Sequence, residues 1–205
     1  MCIPGSDEIN LLTKRGLRGD LEAAYVVIDF LWKFENVAIA KYVAYAFVYQ
    51  IAMNVLVDTS NLCAQCGGVC CREGPPIPIY SFDIEDLRNA LGRKVFDYIE
   101  KMDEIYVLRR PCPFQRGWKC AVHAYKPYAC LSYPFMVEEI AIEGAEKYDG
   151  KGLPDIVTPP KCLAGVHVKN LVDGVAKKMV KELGREPTPR ELLNELLARF
   201  GRRRV

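Results

Sequence analysis

Charge of either sign is scarce in excess. The 205 residues carry 28 basic and 26 acidic side chains, a net charge of +2. That balance gives no electrostatic footprint for a dedicated nucleic-acid binder. With half of its residues hydrophobic, the chain is also too apolar to be disordered. The histidines are only His123 and His167, and no Ser-His-Asp set is evident. No G-x-G-x-x-G follows a strand pattern, no phosphate loop is present, and the C-x3-C-x2-C spacing of radical methionine enzymes is absent. Only three glutamines occur, a scarcity found in thermophile proteins. Long apolar runs are missing too. The most hydrophobic stretch, Val37 to Val57, is broken by Lys41, Gln50 and Asn54. The part between Lys41 and Asp58 falls short of the roughly 20 apolar residues of a membrane span, so it reads as a buried helix. Met1-Cys2-Ile3-Pro4, followed by Asp7 and Glu8, has neither the basic region nor the apolar core of a secretory signal. A cytoplasmic protein with no membrane span is expected.

What the chain does have is cysteine, nine in all. In a reducing compartment that number favours metal ligation over disulfides. Length does not demand metal, because 205 residues can bury a core of their own.

The pattern of breakers and periodic runs predicts an α+β fold, a helical frame around an irregular cysteine-rich metal-binding core with short strands. Asp20 caps a helix with Leu21, Ala24, Tyr25, Ile28, Leu31 and Trp32 at helical spacing, and Asn36 caps a second helix to about Val57. Thr59 to Cys71 reads as a loop, and Gly74, Pro75, Pro76 and Pro78 exclude helix after it. Ser81 caps a helix through Leu91, Gly92 interrupts it, and Val95 to Ile99 carry a further turn or two. Ile105 to Leu108 reads as a strand, Pro111 to Phe135 as irregular, Phe135 to Ile142 as a strand, and Gly150 to Pro160 as a loop. Val166 to Leu183 is an amphipathic helix. Thr188-Pro-Arg-Glu191 is a capping box with proline at the first helical position, opening a last helix to Phe200. The chain is therefore read as one domain, 1–205. It comprises a helical hairpin over 1–58, a cysteine-cluster core over 59–165 and C-terminal helices over 166–205.

Cys63-Ala-Gln-Cys66-Gly-Gly-Val-Cys70-Cys71 is the strongest chemical signal. In a C-x-x-C turn two sulfurs converge on one metal. Gly67 and Gly68 permit left-handed turns and leave backbone amides free to donate to thiolate or sulfide. Side chains of consecutive residues diverge, so Cys70 and Cys71 fit two metal atoms, in a cluster or in neighbouring sites, better than one tetrahedral ion. Cys112, Cys120, Cys130 and Cys162 follow in proline- and glycine-punctuated segments. Eight cysteines, leaving out Cys2, fill two four-thiolate zinc sites, or one four-cysteine cluster and a second site. His123, beside Cys120, is read as structural ahead of a ligand.

The pattern C-x2-C-x3-C-C, then Pro111-Cys-Pro-Phe114, then Cys120-Ala-Val-His123 with Lys126-Pro-Tyr-Ala-Cys130-Leu-Ser-Tyr-Pro134, resembles the YkgJ-like cysteine-cluster family, described as zinc- or iron-chelating. The resemblance covers about Leu62 to Phe135. Where the family carries Arg-Pro-x-x-Cys-Arg, this chain has Lys126 and Leu131, which removes a bidentate donor from that place. Flagellin lysine N-methylases share the motif, and through them the resemblance implies a 4Fe–4S cluster and the methyl donor S-adenosylmethionine. The expected metal ligands are Cys63, Cys66, Cys70, Cys71, Cys112, Cys120, Cys130 and Cys162. An iron–sulfur cluster or zinc is the expected cofactor. A cluster-dependent methyltransferase and a structural zinc protein that binds a partner are the alternative functions. Tyr125, Tyr128, Tyr133 and Phe135 read as a roof that keeps water from the metal. Glu138, Glu139 and Glu143 read as a solvated edge, and Arg202-Arg203-Arg204 as a helix-end cluster suited to the dipole, not to nucleic acid.

Overall fold

The computed structural model describes residues 6–201; Cys2 and Arg202 to Arg204 lie outside them. Three helices come first: α1 (Ser6–Leu17), α2 (Leu21–Trp32) and α3 (Ala38–Ile51), which runs on as a π-helical turn, Ala52–Leu56. Short helices α4 (Ser60–Cys66) and α5 (Val69–Arg72) follow, then strand β1 (Ile77–Ile79), α6 (Ser81–Leu91) and a 3-10 segment, Gly92–Asp97. Strands β2 (Ile99–Met102) and β3 (Ile105–Leu108) precede the two-residue strands β4 (Gln115–Arg116) and β5 (Lys119–Cys120) and a 3-10 turn, His123–Tyr125. The chain ends on α7 (Tyr128–Ser132), α8 (Glu138–Glu146), α9 (Leu163–Leu183) and α10 (Pro189–Phe200). The fold is α+β: helices dominate, and the strands are few, short and antiparallel, in the order β1-β3-β2 with β4-β5 as a separate hairpin.

Two apolar cores organise these elements. The larger lies among α2, α3, α9 and α10 and contains Ile28, Tyr45, Phe47, Ile51, Val168, Val172, Leu192 and Leu196. Ala44 through Ala52 are buried on every side of α3, as befits the central helix of a bundle. Ala38–Leu56 is the one stretch among the described residues that is long and apolar enough to cross a membrane by length and composition, and 56% of it is buried inside the fold. The smaller core joins α6 to the three-stranded sheet through Ile77, Ile79, Leu87, Val95, Ile99, Leu108, Phe114 and Val122.

Several elements differ from the sequence reading. Helix α1 precedes the two expected helices, α2 and α3, which pack on each other. In α1 the apolar face is short, Ile9, Leu12 and Leu17, and two of its buried positions are Thr13 and Lys14. The cap of α3 is Val37, not Asn36. Tyr80, not Ser81, caps α6, with its backbone N–H donating to Asp83 at 3.1 Å. Ile99 opens a strand, not a further helical turn. Thr59 to Cys71 is two short helices instead of a loop. Phe135 to Ile142 is not a strand: Phe135 turns into the larger core and Glu138 begins α8. There Glu138 and Glu139 stand in the first turn, where a helix dipole favours acid. The small residues Gly144 and Ala145 let α8 lie close on Tyr42 of α3.

Candidate metal centre

Cys63 and Cys66, three residues apart on α4, share one helix face. The Cys63 thiol lies 3.9 Å from Thr59 Oγ1, and the Cys66 thiol donates to the Cys63 carbonyl at 3.4 Å. Helix α4 stops because Gly67 and Gly68 both adopt left-handed backbone, φ 65° and 70°, which a side chain resists. The turn is held from two directions. Arg72 donates to the carbonyls of Gly67 and Cys66, and Gln115 Nε2 donates to the Gly67 carbonyl at 3.0 Å. Helix α5 then presents Cys70 and Cys71 from a single turn.

The later cysteines are brought to this turn by backbone contacts. Cys112 N–H donates to the Cys71 carbonyl at 2.8 Å. Cys120 sits on β5 opposite Gln115, the residue that grips Gly67. Cys130 rides on α7, which is tied down at both ends. Asp83, fully buried, accepts from Tyr128 N–H at 2.8 Å and from the buried ammonium of Lys14 on α1. At the other end, Asn54 donates to the Leu131 carbonyl and Gln50 to the Tyr133 carbonyl, both at 2.9 Å, while Gln50 accepts from Phe135 N–H at 3.0 Å. The polar residues that interrupt the apolar run of α3 are therefore the clamp on the segment behind Cys130. Cys162 caps α9, its sulfur accepting from Gly165 N–H at 3.3 Å. A Cβ on Gly165 would meet Pro134, Thr158 and that sulfur at 2.7, 2.9 and 3.2 Å, so only glycine permits this approach.

The sulfurs feel one another. Cys71 accepts hydrogen bonds from the thiols of Cys112 and Cys70, and these lower its pKa to about 3 against a burial that opposes ionisation. The Cys70 thiol is pushed up by that hydrogen bond and then by burial, as is Cys112. Burial pushes Cys130 up to about 12 and also raises Cys63, Cys120 and Cys162. Two cations oppose this rise. Lys126 acts on Cys63, Cys71, Cys120 and Cys130, and Arg110 acts on Cys71 and Cys130. Arg110 Nε is buried with no hydrogen-bond partner. A donor in that position suits a metal-bound thiolate or a cluster sulfide, both of which carry negative charge. The soft donor set suits zinc, iron or copper(I) over magnesium or calcium. Among the described residues, no three His, Cys, Asp or Glu side chains yet converge in ligating geometry.

Residues 62–151 match the family model CxxCxxCC, described as "Putative zinc- or iron-chelating domain". This stretch is similar to that family. No curated protein and no solved structure matches the chain. The CxxCxxCC stretch includes Cys63, Cys66, Cys70, Cys71, Cys112, Cys120 and Cys130 and ends before Cys162. Its name spells two residues between the second and third cysteines, whereas this chain has three, Gly67, Gly68 and Val69. The extra residue falls in the left-handed turn between α4 and α5.

Of the aromatics expected over the metal, Tyr133 hydrogen-bonds the Cys162 sulfur. Phe135 is in the larger core, Tyr125 packs against the smaller one, and Tyr128 stacks edgewise on Tyr80 and Phe82. His123 is exposed on its 3-10 turn. Sequence reasoning missed Arg110, Gln115 and Gly165. Arg110 leads directly into the Pro-Cys-Pro run, which is the one local hint of its place. A shallow concavity lined by Glu85, Arg88, Asn89, Gly92 and Arg93 contains none of the cysteines in its walls.

Proposed function

We propose that this protein holds iron, as an iron–sulfur centre, through Cys63, Cys66, Cys70, Cys71, Cys112, Cys120, Cys130 and Cys162. The observation that carries the reading is the meeting of thiols from α5 and the 111–114 segment, where Cys71 receives hydrogen bonds from both Cys70 and Cys112. Two thiols meeting at the Cys71 sulfur give donors for a polynuclear centre, and a vicinal pair serves two metal atoms more readily than one. Arg110 and Lys126 supply positive charge beside a centre whose thiolates and sulfides are anionic. A bound cluster supplies one-electron transfer or a Lewis-acidic iron. The chain's own part is to fix sulfur positions through the left-handed turn, the β4–β5 hairpin and the clamped α7. It also provides Arg110 Nε–H as a donor that stabilises the reduced, more negative state.

Zinc is the second reading, favoured by one observation: Cys63 and Cys66 stand one helical turn apart on a shared face, the spacing of a tetrahedral pair. Preparation of the full chain without oxygen separates the two. Broad visible absorption that bleaches with dithionite is the expected result, and a colourless protein with stoichiometric zinc would reject iron.

A further inference from the structure

Lys14 on α1 is almost fully buried, which is costly for an ammonium group unless it is paired. Its partners lie on α6. They are Asp83, itself fully buried, at 2.5 Å and Asp86 at 2.6 Å. The ammonium also stands 5.0 Å from the centre of the Phe82 ring. Four residues on, and so on the same face of α1, Arg18 meets Asp86 at 3.0 Å and donates to the Lys126 carbonyl at 3.1 Å. Leu17, between them in sequence, belongs to the larger apolar core. Helix α1 thus has one side on the bundle and the other on α6 and α7.

Apolar side chains of similar size would hold α1 to α6 as well as a buried ion pair does. A carboxylate at position 83 does something that they could not. One of its oxygens accepts from Lys14 and from Tyr128 N–H at 2.8 Å, and the other accepts from Tyr80 N–H at 3.1 Å. Asp83 is therefore the point at which α1, the start of α6 and the start of α7 are fixed to one another. Arg18 holds Lys126, Asp83 holds Tyr128, and the buried Pro127 stands between them. The Pro127 carbonyl in turn accepts from Cys130 N–H at 3.0 Å. Two cations of α1 thus reach the backbone that carries Cys130 through a short run of hydrogen bonds, none of which involves a sulfur.

From this arrangement we propose that α1 is a latch on the metal centre. Lys14 and Arg18 are positioning residues: they hold residues 126–130 where Cys130 serves as a ligand, so that docking of α1 and binding of metal favour each other. The proposal rests on the metal-binding reading above and adds to it a control element outside the CxxCxxCC stretch. Linkage of this kind is reciprocal. Whatever loosens α1 weakens metal binding, and loss of metal loosens α1.

The test uses the full-length reduced chain without oxygen and zinc ion alone as the probe, with affinity read by competition against a chromophoric chelator. Asp83→Asn keeps the shape of the side chain and loses one of its two acceptor oxygens. It should weaken zinc binding roughly tenfold, as loss of a partner that orients a ligand does. Arg18→Ala, at a half-exposed position, should weaken it less and leave the fold intact, and it decides alone if Asp83→Asn does not fold. Gly144→Ala is the comparison: it disturbs the packing of α8 on Tyr42, so it should lower the melting temperature and leave zinc affinity as in the native chain. Amide exchange at Thr13 to Leu17 should be slower with zinc bound than after chelation. Native affinity in Arg18→Ala, an equal loss in Gly144→Ala, or exchange in α1 that ignores zinc would overturn the latch while leaving metal binding intact. A folded native chain that binds no zinc and no iron would overturn the underlying reading itself.

Discussion

Gly165 and Gly174 lie on the same helix and make opposite predictions. At Gly165 an added methyl has Pro134, Thr158 and the Cys162 sulfur within 3.2 Å. At Gly174 it meets nothing within 4 Å. Gly165→Ala should therefore cost about 1–3 kcal/mol by overpacking and move the Cys162 sulfur, lowering the metal bound. Gly174→Ala should raise stability by up to about 1 kcal/mol, the helix-propensity difference, with metal content unchanged. Melting curves and metal analysis of the two variants check this; equal behaviour would show that α9 does not hold Cys162 in place. Cys66→Ser should lower both bound metal and melting temperature, because structural metal sites contribute on the order of 10 kcal/mol to folding. Full metal and an unchanged melting temperature in Cys66→Ser would remove α4 from the site.

At the scale of elements, the packing of α8 on α3 depends on Gly144, whose missing Cβ leaves room for the Tyr42 ring. Tyr42 cannot retreat: it is fully buried and its hydroxyl accepts from Val157 N–H at 2.9 Å. Gly144→Ala should lower the melting temperature by several degrees, since overpacking costs about 1–3 kcal/mol and each kcal/mol is worth about 2–4 °C at this size. Helix α10 carries a pH dependence. Hydrogen bonds from Arg185 and then from the Thr188 N–H lower the Glu191 pKa from 4.5 to about 2. A depressed carboxyl contributes stability that is complete above pH 4.5 and is lost as pH falls towards 2. The pair is exposed, so the contribution is about 1 kcal/mol or less. The stability gap between the native chain and Glu191→Gln should be constant near neutrality and close between pH 4.5 and 2; a gap that persisted at pH 2 would contradict it. This cap was legible in the sequence, as were α2, β3, α9 and the cysteine run, because each depends on neighbours a few residues away. The elements that were not legible depend on distant partners. Lys14 in α1 is satisfied by Asp83, and Phe135 leaves its apparent strand to meet Tyr49. Cysteine spacing marked which residues carry the chemistry. It did not show Arg110, or that Gln50 and Asn54 grip the segment behind Cys130, because those contacts cross 77 and more residues of chain.

At the scale of the whole molecule the buried apolar residues form two cores. The larger joins α2, α3, α9 and α10 through aliphatic and aromatic side chains, none of them cysteine. The smaller is built on a three-stranded sheet with strands of only three or four residues, and Cys112, Cys120 and Cys130 lie against it. Removing metal with a chelator should therefore loosen the sheet and the β4–β5 hairpin first. Hydrogen exchange should accelerate at Ile105 to Leu108 and Gln115 to Cys120 while Tyr45 to Ile51 stay protected; uniform acceleration would contradict the two-core account. The most direct measurement of the central claim is metal content together with thiol alkylation, on the full chain prepared without oxygen. The account predicts bound metal, with Cys63, Cys66, Cys70, Cys71, Cys112, Cys120, Cys130 and Cys162 protected until the metal is stripped and all eight labelled afterwards. A folded chain free of metal, with those same thiols labelled at once, would contradict it.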